Sequence, residues 1–576
     1  MKNPGIRHGI AVDYYTRERG KLFLASVAVG LVGGLGAVAF RLLLSGSQTL
    51  FFAIILPVIS FGPGGHNFGL ILLPALGGLI VGPLICWFAH EARGGGVPQV
   101  IEAVHRKSGL LRPVVALVKT LASSITIGSG GNAGREGPIA QIGAVFGSLV
   151  GRLGFISVQQ RKLLVSCGLA AGISATFNSP LGGAVFAMEV ISVQSELVSA
   201  IPVLVAAVAG DVMIAAFLGF EPAFDAPAYT FRSISEVPVF AIVGVIFGLL
   251  SYVWATCYHG VERRFDALAI PEWLKPAVGG VAVGVLGFLL VDYGIMGVGY
   301  ETMQAAIAGE LSLALLLLLG VVKIVATSFC IGSGGSGGIF APTLYIGAMF
   351  GAACGIIANS IAPGVVTTPH VYALIGMGTL FAGIGRAPVT ALIMIPEMTN
   401  NYLLLIPMVI VCTLSYLVAA ALTKSSMYLM KLERLGVNIR FKENVLEGAV
   451  VRDVMTKRPT TLPPDMLLAD VSRLLTMEHH PAFPVENSEG AFVGVLTVYD
   501  LHSVAVEDYH ATQVHQVMRT KYPHVTATHS GFYALKLMVK YNLGRIPVIE
   551  HRGNDRVIVG IISKTDIVMA YAQMME

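Results

Sequence analysis

The chain contains one glycine-rich segment twice, and this duplication constrains its fold more than any other feature. The segment VKTLASSITIGSGGNAGREGPIAQIGAVFGSLVG starts at Val118 and returns 204 residues later as VKIVATSFCIGSGGSGGIFAPTLYIGAMFGAACG from Val322, with about half of the aligned positions identical. A second pair follows, because NSPLGGAVFAMEV resembles RAPVTALIMIPEM, which places Glu189 over Glu397. The sequence therefore predicts two structurally related halves.

The composition assigns these halves to a lipid bilayer. A mean hydropathy of +0.74 with only 12% charged residues does not fit a water-soluble chain of 576 residues. Several apolar stretches approach the ~20 residues that span hydrocarbon: Leu22 to Leu44, Phe68 to Phe88, Val237 to Ala255, Leu311 to Ile331 and Tyr402 to Leu422. The chain is predicted to be an α-helical polytopic membrane protein.

Glycine loops interrupt the apolar segments at matching places in the two halves. Broken helices in such places indicate a binding site near the midplane, with helix N-termini directed inward. Free N–H groups and the positive end of the helix dipole suit an anion. The candidate loops are GGGVP (Gly94 to Pro98), GREGP (Gly134 to Pro138), GSGGSGGIFAP (Gly332 to Pro342) and the glycines around Gly182, and the phenol of Tyr428 is the best hydroxyl donor nearby.

The composition of the sequence changes near Glu443, where charged residues become frequent and apolar runs shorten to strand length. This soluble tail is duplicated as well, since VVRDVMTKRPTT is echoed by QVHQVMRTKYPH. The charged N-terminus, with no cleavage site after its apolar run, predicts a cytoplasmic start without a removable signal peptide. We expect an N-terminal segment 1–20, a transmembrane domain 21–440 with repeats at about 21–220 and 235–440, and tail copies at 448–508 and 512–576.

Other classes of function find little support. The net charge of +4 is too small to imply nucleic acid. The six cysteines lie in apolar or glycine-rich stretches without metal-ligand spacing and are interpreted as structural thiols, so no metal is expected. The stretch HEARG has Gly94 where a zinc protease needs its second histidine, and GSGGSG lacks the strand and the acid of a dinucleotide site. No enzyme activity is predicted.

The loops GGGVP, GREGP and GGIFAP, in this order and with a late tyrosine, resemble the CLC family of chloride channels and chloride/proton exchangers. The tail resembles the cytoplasmic CBS-domain pair of that family. The resemblance implies inverted-topology repeats with broken helices, followed by a tandem α/β CBS domain. It also implies a homodimer in the bilayer, each subunit with its own pathway for chloride and other small anions, in a bacterial inner membrane with both chain ends cytoplasmic.

The resemblance also assigns site residues. The gating glutamate of the family falls on Glu136, and the anion-binding set is Gly95, Gly96, Arg135, Glu136, Gly137, Ile339, Phe340 and Tyr428. A carboxylate at a helix N-terminus that suits anions occupies the site of the anion itself, so Glu136 is a tethered competitor until it is protonated or displaced. Its counterpart in the second copy, Phe340, carries no charge.

Three departures from the family pattern bear on mechanism. Gly95 stands where many chloride-selective members have serine, which predicts weaker discrimination of chloride from nitrate. Val190 stands where exchangers commonly carry a proton-relaying acid, and Gln99 and Ile101 replace further acids. We therefore expect a passive gated anion channel, with a chloride/proton antiporter as the alternative; fluoride-specific members carry a different first motif.

Two sets of residues each allow two interpretations. Glu189 is either a proton carrier or a structural acid, and its repetition as Glu397 favours the structural role. In the tail, a hydroxyl residue and an aspartate recur at matching positions of the two copies: Thr497 and Asp500, and Ser563 and Asp566. In CBS domains, such hydroxyls can bind the phosphate and such aspartates the ribose of ATP, ADP or AMP. The same residue types also cap helices, so a tail that only stabilises a dimer is the rival of adenine-nucleotide binding.

Overall fold

A computed structural model describes residues 4–62, 67–153, 156–191, 197–219, 223–226, 229, 234–437, 449–478, 482–552 and 555–575. The chain divides into two compact units, residues 1–439 and 440–576, and each is described by itself. The predicted start of the tail near Glu443 lies outside the described residues.

The first unit is helical. Its helices are α1 (Pro4–Gln48), α2 (Gly69–Phe88), α3 (Val97–Arg106), α4 (Pro113–Gly128), α5 (Glu136–Val150), α6 (Val158–Phe177), α7 (Pro180–Ile191), α8 (Leu197–Leu218), α9 (Val237–Ala267), α10 (Lys275–Leu289), α11 (Tyr300–Ala308), α12 (Leu313–Gly332), α13 (Phe340–Ile361), α14 (Tyr372–Gly385), α15 (Pro388–Met398), α16 (Leu405–Leu422) and α17 (Met427–Arg434). A π-helical segment, Thr49–Ile55, and a short turn, Leu56–Val58, extend α1.

Eight helical segments of the described chain are long and apolar enough to cross a membrane. They include all five stretches expected from the sequence and add Ala200–Leu218, Glu272–Leu289 and Phe340–Ile361. The shorter apolar helices, such as Pro113–Gly128 and Pro180–Ile191, are too short to span hydrocarbon alone. Short helices of this kind begin and end within the protein, as the glycine loops predicted.

Local sequence explains where several helices begin and end. Ser157 caps α6 through a reciprocal pair of hydrogen bonds with Gln160, and Ser426 caps α17 by accepting from the N–H of Leu429. The helix α6 ends at Asn178, which has a left-handed backbone (φ 51°), and α14 ends in the same way at Arg386 (φ 57°). These two ends fall at equivalent positions of the two repeats.

Glycine permits the helices to pack backbone against backbone. In the first half, α5 crosses α6 where Gly143 meets Gly168; a Cβ on Gly143 would lie 2.0 Å from the Gly168 carbonyl oxygen. In the second half, α13 crosses α14 where Gly347 meets Gly376, with 2.5 Å for the corresponding distance. Small residues at such crossings let membrane helices approach closely. The duplication therefore extends to the packing of helix pairs.

The second unit contains two small antiparallel sheets. The strands are β1 (Thr456–Lys457), β2 (Ala482–Glu486), β3 (Phe492–Thr497), β4 (Arg545–Arg552) and β5 (Asp555–Ser563), and the helices are α18 (Val451–Val454), α19 (Leu468–Glu478), α20 (Val498–Leu501), α21 (Val514–Val517), α22 (Gly531–Lys540) and α23 (Lys564–Met575). Strand β2 pairs with β3, and the other sheet has the order β1-β5-β4. Each copy thus pairs a central hairpin with helices, in agreement with the repeat in the tail sequence.

One glycine contact gives a test of the membrane packing. Gly82 of α2 lies against the segment before α10, where a Cβ would be 1.8 Å from the carbonyl oxygen of Trp273. We expect Gly82→Ala to lower the apparent melting temperature by at least about 2 °C in detergent, because overpacking costs roughly 1–3 kcal/mol and outweighs the helix propensity gained. Gly46→Ala is the control, since nothing lies within 4 Å of a Cβ there. Equal melting temperatures for the two variants would contradict the packing argument.

Candidate functional site

Backbone hydrogen bonds join the predicted glycine loops into one structure. The N–H of Gly94 donates to the carbonyl of Gly335 (3.0 Å), and the N–H of Gly337 donates back to Gly94 (3.1 Å). Gly134 and Gly338 exchange two hydrogen bonds of 2.7 Å each. Because Gly134 and Gly338 are equivalent positions of the repeat, the two halves meet here through matching residues.

The first two loops also touch each other at glycines that were expected to bind an anion. A Cβ on Gly137 would lie 2.1 Å from the carbonyl oxygen of Gly95, so only glycine allows this approach. Gly96 has φ +89°, and a Cβ there would lie 2.7 Å from Oε1 of Gln141. Gly95 is different, because the nearest atom to its Cβ would be the carbonyl oxygen of Gly337 at 3.9 Å. Position 95 therefore has room for a small side chain.

Glu136 begins α5 and its side chain is fully buried. Its Oε2 accepts from the backbone N–H of Ala341 (3.3 Å), in the first turn of α13, and its Oε1 accepts from the hydroxyl of Tyr300 (3.0 Å). A carboxylate of the first repeat therefore lies at the helix N-terminus of the second repeat, where the helix dipole favours negative charge.

The predicted donors Ile339 and Phe340 form the start of this helix. Ile339 is its N-cap residue and Phe340 its first residue. The ring of Phe340 packs against three other buried rings, those of Phe177, Phe186 and Phe381, at centroid distances of 5.0, 6.0 and 4.4 Å. These rings form an apolar wall beside the helix start. The contact with Glu136 is made one residue further on, by Ala341.

Tyr300 was not anticipated from the sequence. It is the first residue of α11 and is preceded by Gly299 in the left-handed region (φ +86°). Besides its hydrogen bond to Glu136, its ring lies under the guanidinium of Arg135, 4.7 Å from the ring centroid. The predicted site residue Arg135 is thus placed against the ring of Tyr300.

The loop before Tyr300 repeats the geometry of the loop GGGVP. Gly94 and Gly96 have φ values of +75° and +89°, while Gly297 and Gly299 have +75° and +86°. Each loop opens a short helix, α3 and α11 respectively. Val97 is therefore the counterpart of Tyr300. The signal in the sequence was the weak echo of GGGV in GVGY.

Two buried lysines anchor these two loops. The ammonium group of Lys119 donates to the carbonyls of Ala92 (3.0 Å) and Gly94, and it is fully buried. Lys323, which occupies the equivalent position of the second repeat, donates to Gly294 (2.8 Å), Gly297 (3.2 Å) and Val298 (3.2 Å). Carbonyl oxygens offset the cost of burying each charge and fix the loop in return.

Glu189 and Glu397 cap each other's helices. The carboxylate of Glu189 lies at the start of α15. It accepts from the N–H groups of Val389 (3.1 Å) and Thr390 (2.7 Å) and from the hydroxyl of Thr390 (2.6 Å). Glu397 accepts in the same way at the start of α7 from Ser179, Leu181 and Gly182, at 2.5, 3.1 and 2.8 Å. Helices α7 and α15 therefore run in opposite directions.

This arrangement corrects one expectation. The glycines around Gly182 were proposed as a fourth anion loop, but the Gly182 N–H donates to the carboxylate of Glu397. A fixed internal anion thus occupies that helix start. Glu189 has the structural contacts that its repetition suggested, and its neighbour Val190 is an almost fully buried side chain of α7 (6% exposed).

Tyr428 is the second residue of α17, which begins at Met427 directly after the cap residue Ser426. Its side chain is buried (4% exposed) and lies close enough to Glu136 for an electrostatic interaction between the two groups. The structure thus brings Tyr428 to the same region as Glu136, the glycine loops and the start of α13.

The tail residues form helix caps. Thr497 caps α20 in a reciprocal pair with Asp500, whose other oxygen accepts from Nε of Arg519 (2.7 Å). At the second copy, Asp566 accepts from the N–H of Ser563 (2.8 Å) and donates its own N–H to the Ser563 hydroxyl (3.1 Å). Both pairs therefore have the geometry of the structural alternative.

Comparisons with known proteins agree with this architecture. The model of the voltage gated chloride channel family matches residues 77–420, and the CBS domain model matches residues 451–507 and 514–573. The H(+)/Cl(-) exchange transporter ClcA of Salmonella typhimurium is 33% identical over 423 residues, which cover 71% of this chain and 87% of ClcA. A ClcB-like protein of Ralstonia nicotianae, with a provisional chloride-channel name, is 31% identical over 410 residues, covering 70% of this chain and 95% of that protein.

Solved structures show the same fold. A slow cyanobacterial Cl⁻/H⁺ antiporter superposes with a TM-score of 0.65 at 25% identity, covering 72% of this chain and 97% of the antiporter. A eukaryotic CLC transporter covers 96% of this chain and 98% of its own, with a TM-score of 0.61 at 20% identity, and supports the fold alone. The chain belongs to the CLC family of chloride channels and exchangers, and it carries a C-terminal pair of CBS domains.

Proposed function

We propose that this protein exchanges chloride for protons, with Glu136 as the group that both ions use. The observation that carries the proposal is the position of the Glu136 carboxylate at the N-terminus of α13. The sequence alone favoured a passive channel. The ClcA relatives and the cyanobacterial antiporter are named as exchangers, and this favours the exchanger for the present chain.

The exchange follows from competition for one helix N-terminus. When Glu136 is ionised, its carboxylate occupies the position that suits an anion, next to the Ala341 N–H. Protonation removes the charge and weakens both hydrogen bonds, so that chloride replaces the carboxylate. When the proton leaves, the carboxylate returns and displaces the anion. Proton and chloride therefore alternate at the same place.

Glu136 is held less firmly than the two capping glutamates. Within the described contacts, Glu189 and Glu397 each accept three hydrogen bonds, most of them at 2.5–2.8 Å. Glu136 accepts at 3.3 Å from Ala341 and at 3.0 Å from Tyr300. Shorter charge-assisted hydrogen bonds are stronger, so Glu136 is the carboxylate that an incoming anion displaces.

An exchanger also needs a proton carrier on the other side of the gate, and Val190 cannot be one. We assign this role to His105, whose Nε2 lies 2.7 Å from the carbonyl oxygen of Ile191, directly after Val190. His105 lies at the end of α3 and is half-buried, so solvent can reach the ring, and Lys162 is within electrostatic range. An imidazole has one nitrogen that accepts a proton and one that releases it, so it can pass a proton on where the side chain of Val190 cannot.

A gated channel remains the second candidate, because Val190 removes the acid usual in exchangers. A channel and an exchanger share the same fold, and the difference between them lies in a few groups along the pathway. In a channel, Glu136 opens the path on protonation without carrying the proton across.

The wider architecture is part of the proposal. Helices α7 and α15 run in opposite directions and the Gly134–Gly338 pair joins equivalent positions, which supports two inverted-topology repeats. A homodimer, cytoplasmic chain ends, a bacterial inner membrane and the predicted domain bounds follow from the family resemblance.

For the tail, we propose adenine-nucleotide binding in the second copy. The Asp500 carboxylate in the first copy is already paired with Arg519, whereas the contacts described for Asp566 are with Ser563 alone. A ribose hydroxyl therefore competes with fewer protein donors for the carboxylate of Asp566 than for that of Asp500.

The first prediction concerns coupling. In liposomes with a chloride gradient and a potassium ionophore to set the voltage, we expect wild-type protein to move protons against their gradient, and a protonophore to collapse the signal. Glu136→Gln, which mimics the protonated carboxylate, should carry chloride without protons and without pH dependence; the wild-type flux should rise as pH falls.

His105→Gln should reduce proton movement several-fold more than chloride flux. Rapid wild-type chloride flux with no proton signal would establish the channel instead.

The second prediction concerns Tyr300. Tyr300→Phe keeps the ring under Arg135 but removes the hydrogen bond to Glu136. Hydrogen bonds to charged groups contribute roughly 1.5–3 kcal/mol, so the occupied state of Glu136 should weaken by about tenfold or more. We expect faster chloride efflux, because an ionised carboxylate that has lost this hydrogen bond leaves the site more readily. Tyr372→Phe is the control, because its hydroxyl also donates to a carboxylate at 3.0 Å, but to that of Glu236. Equal rates in both variants would remove Tyr300 from the gate.

The third prediction concerns selectivity. Gly95→Ser introduces a hydroxyl at a position with space for it. If the hydroxyl reaches the anion, the chloride/nitrate flux ratio should rise at least threefold, equivalent to roughly 0.65 kcal/mol. Gly96→Ser should instead lower folded yield, because φ is +89° and a Cβ collides with Gln141. An unchanged ratio in a well-folded Gly95→Ser protein would place selectivity elsewhere.

A further inference from the structure

A second cluster of chemically reactive side chains lies outside the anion pathway. Cys86, His90 and Glu272 each offer one ligand atom, and the three atoms lie within 4.8 Å of one another. Nε2 of His90 is 3.3 Å from Oε2 of Glu272. The three residues line one small pocket together with Arg93 and Lys275.

The spacing suits a tetrahedral metal ion. Bond lengths of about 2.0 Å to nitrogen or oxygen and 2.3 Å to sulfur place tetrahedral ligands roughly 3.3–3.8 Å apart. The His90–Glu272 separation already has this value. The sulfur of Cys86 lies within 4.8 Å of the other two ligand atoms, so metal binding requires a further small approach of the thiolate.

The backbone around the cluster is rigid, which lowers the cost of ordering the ligands. Cys86 is near the end of α2, and Glu272 begins the turn before α10. These segments are clamped by glycines: a Cβ on Gly82 would lie 1.8 Å from the carbonyl of Trp273, and one on Gly78 would lie 2.5 Å from Pro276. The distance between the two ligand-bearing backbones is therefore fixed.

The nearby cations donate to acceptors outside the cluster. Nη2 of Arg93 donates to Asp266 (3.0 Å), and the ammonium of Lys275 donates to the Asp266 carbonyl (3.3 Å). The side chains of His90 and Glu272 are more than half exposed, 58% and 59%. A hydrated ion therefore reaches the ligands from solvent, and water can fill a fourth position.

We propose that Cys86, His90 and Glu272 form a binding site for a thiophilic divalent cation of the Zn²⁺ class. A thiolate, an imidazole and a carboxylate together favour Zn²⁺ or Cd²⁺, whereas Mg²⁺ and Ca²⁺ prefer oxygen ligands. No sequence spacing reveals this set, because Glu272 is distant from Cys86 and His90 along the chain.

The site is linked to the anion loop by three residues. The carbonyl of His90 accepts from the N–H of Arg93 (3.1 Å), and Gly94, the start of the loop GGGVP, follows directly. A metal that fixes His90 thereby restrains the loop, and it slows anion flux. This second part rests on the proposed function. Arg93 and Arg434 both pair with Asp266, so the pocket faces the side of the membrane unit where α17 ends.

The binding test does not depend on transport. Purified full-length protein is titrated with Cd²⁺ while the ultraviolet charge-transfer absorption of the cadmium–thiolate bond is recorded. We expect one saturable site per chain that Zn²⁺ displaces. Its affinity should fall as pH is lowered from about 7.5 to 5.5, because protons compete for the thiolate and the imidazole.

Variants assign the ligands. Cys86→Ser should abolish the absorption, and Glu272→Gln should weaken Cd²⁺ at least about tenfold. Cys354→Ser is the matched control, because Cys354 is also a partly buried thiol but lies on α13. The same absorption in Cys86→Ser as in wild type, or no saturable absorption in wild type, would overturn the site. If Cys86→Ser does not fold, unchanged Cd²⁺ affinity in Glu272→Gln would overturn it equally.

The effect on flux is measured separately, with Zn²⁺ on either side of the liposomes. We expect slower chloride flux in wild type and in Cys354→Ser, and no change in Cys86→Ser. Binding without an effect on flux would overturn the link to the Gly94 loop. Loss of proton coupling with intact Cd²⁺ binding would instead count against the exchanger alone.

Discussion

Backbone N–H groups at bilayer depth need an acceptor, and this requirement organises the membrane unit. Helices that begin inside the protein expose such groups where water is scarce. At the starts of α7 and α15 the acceptors are Glu397 and Glu189, which hold the two halves together. At the start of α13 the acceptor is Glu136. The same physical demand is thus met by three carboxylates, two of which link equivalent helices of the two halves.

The three carboxylates differ in the partners that each one finds, and this difference supports the proposed role of Glu136 as the gate. Serine and threonine hydroxyls reinforce Glu397 and Glu189 at 2.5–2.6 Å. Glu136 finds a phenol from a different helix, and no hydroxyl from the α13 start reinforces it among the described contacts. The contacts of Glu136 therefore depend on the position of Tyr300, and hence on the loop that Lys323 holds.

The sequence predicted much of this fold because duplication and hydropathy are properties of the chain itself. The glycine loops and Glu136 were recognisable because each motif is continuous. Tyr300 was missed because its contact with Glu136 joins residues 164 positions apart. The loop at Gly182 was misjudged for the same reason, since a glycine-rich helix start looks alike whether its acceptor is a mobile anion or the distant Glu397. Patterns identify motifs that are continuous along the chain, but only the fold shows which distant residues meet.

The paired lysines have a consequence for the history of the molecule. Lys119 and Lys323 each hold a loop with the same glycine geometry, yet one loop opens onto Val97 and the other onto Tyr300. A half-length ancestor that paired with itself would have carried two identical loops, and each contact between the halves would have occurred twice. The divergence of Tyr300 from Val97, together with that of Glu136 from Phe340, makes the pairing of a phenol with a carboxylate occur once among the described contacts rather than twice.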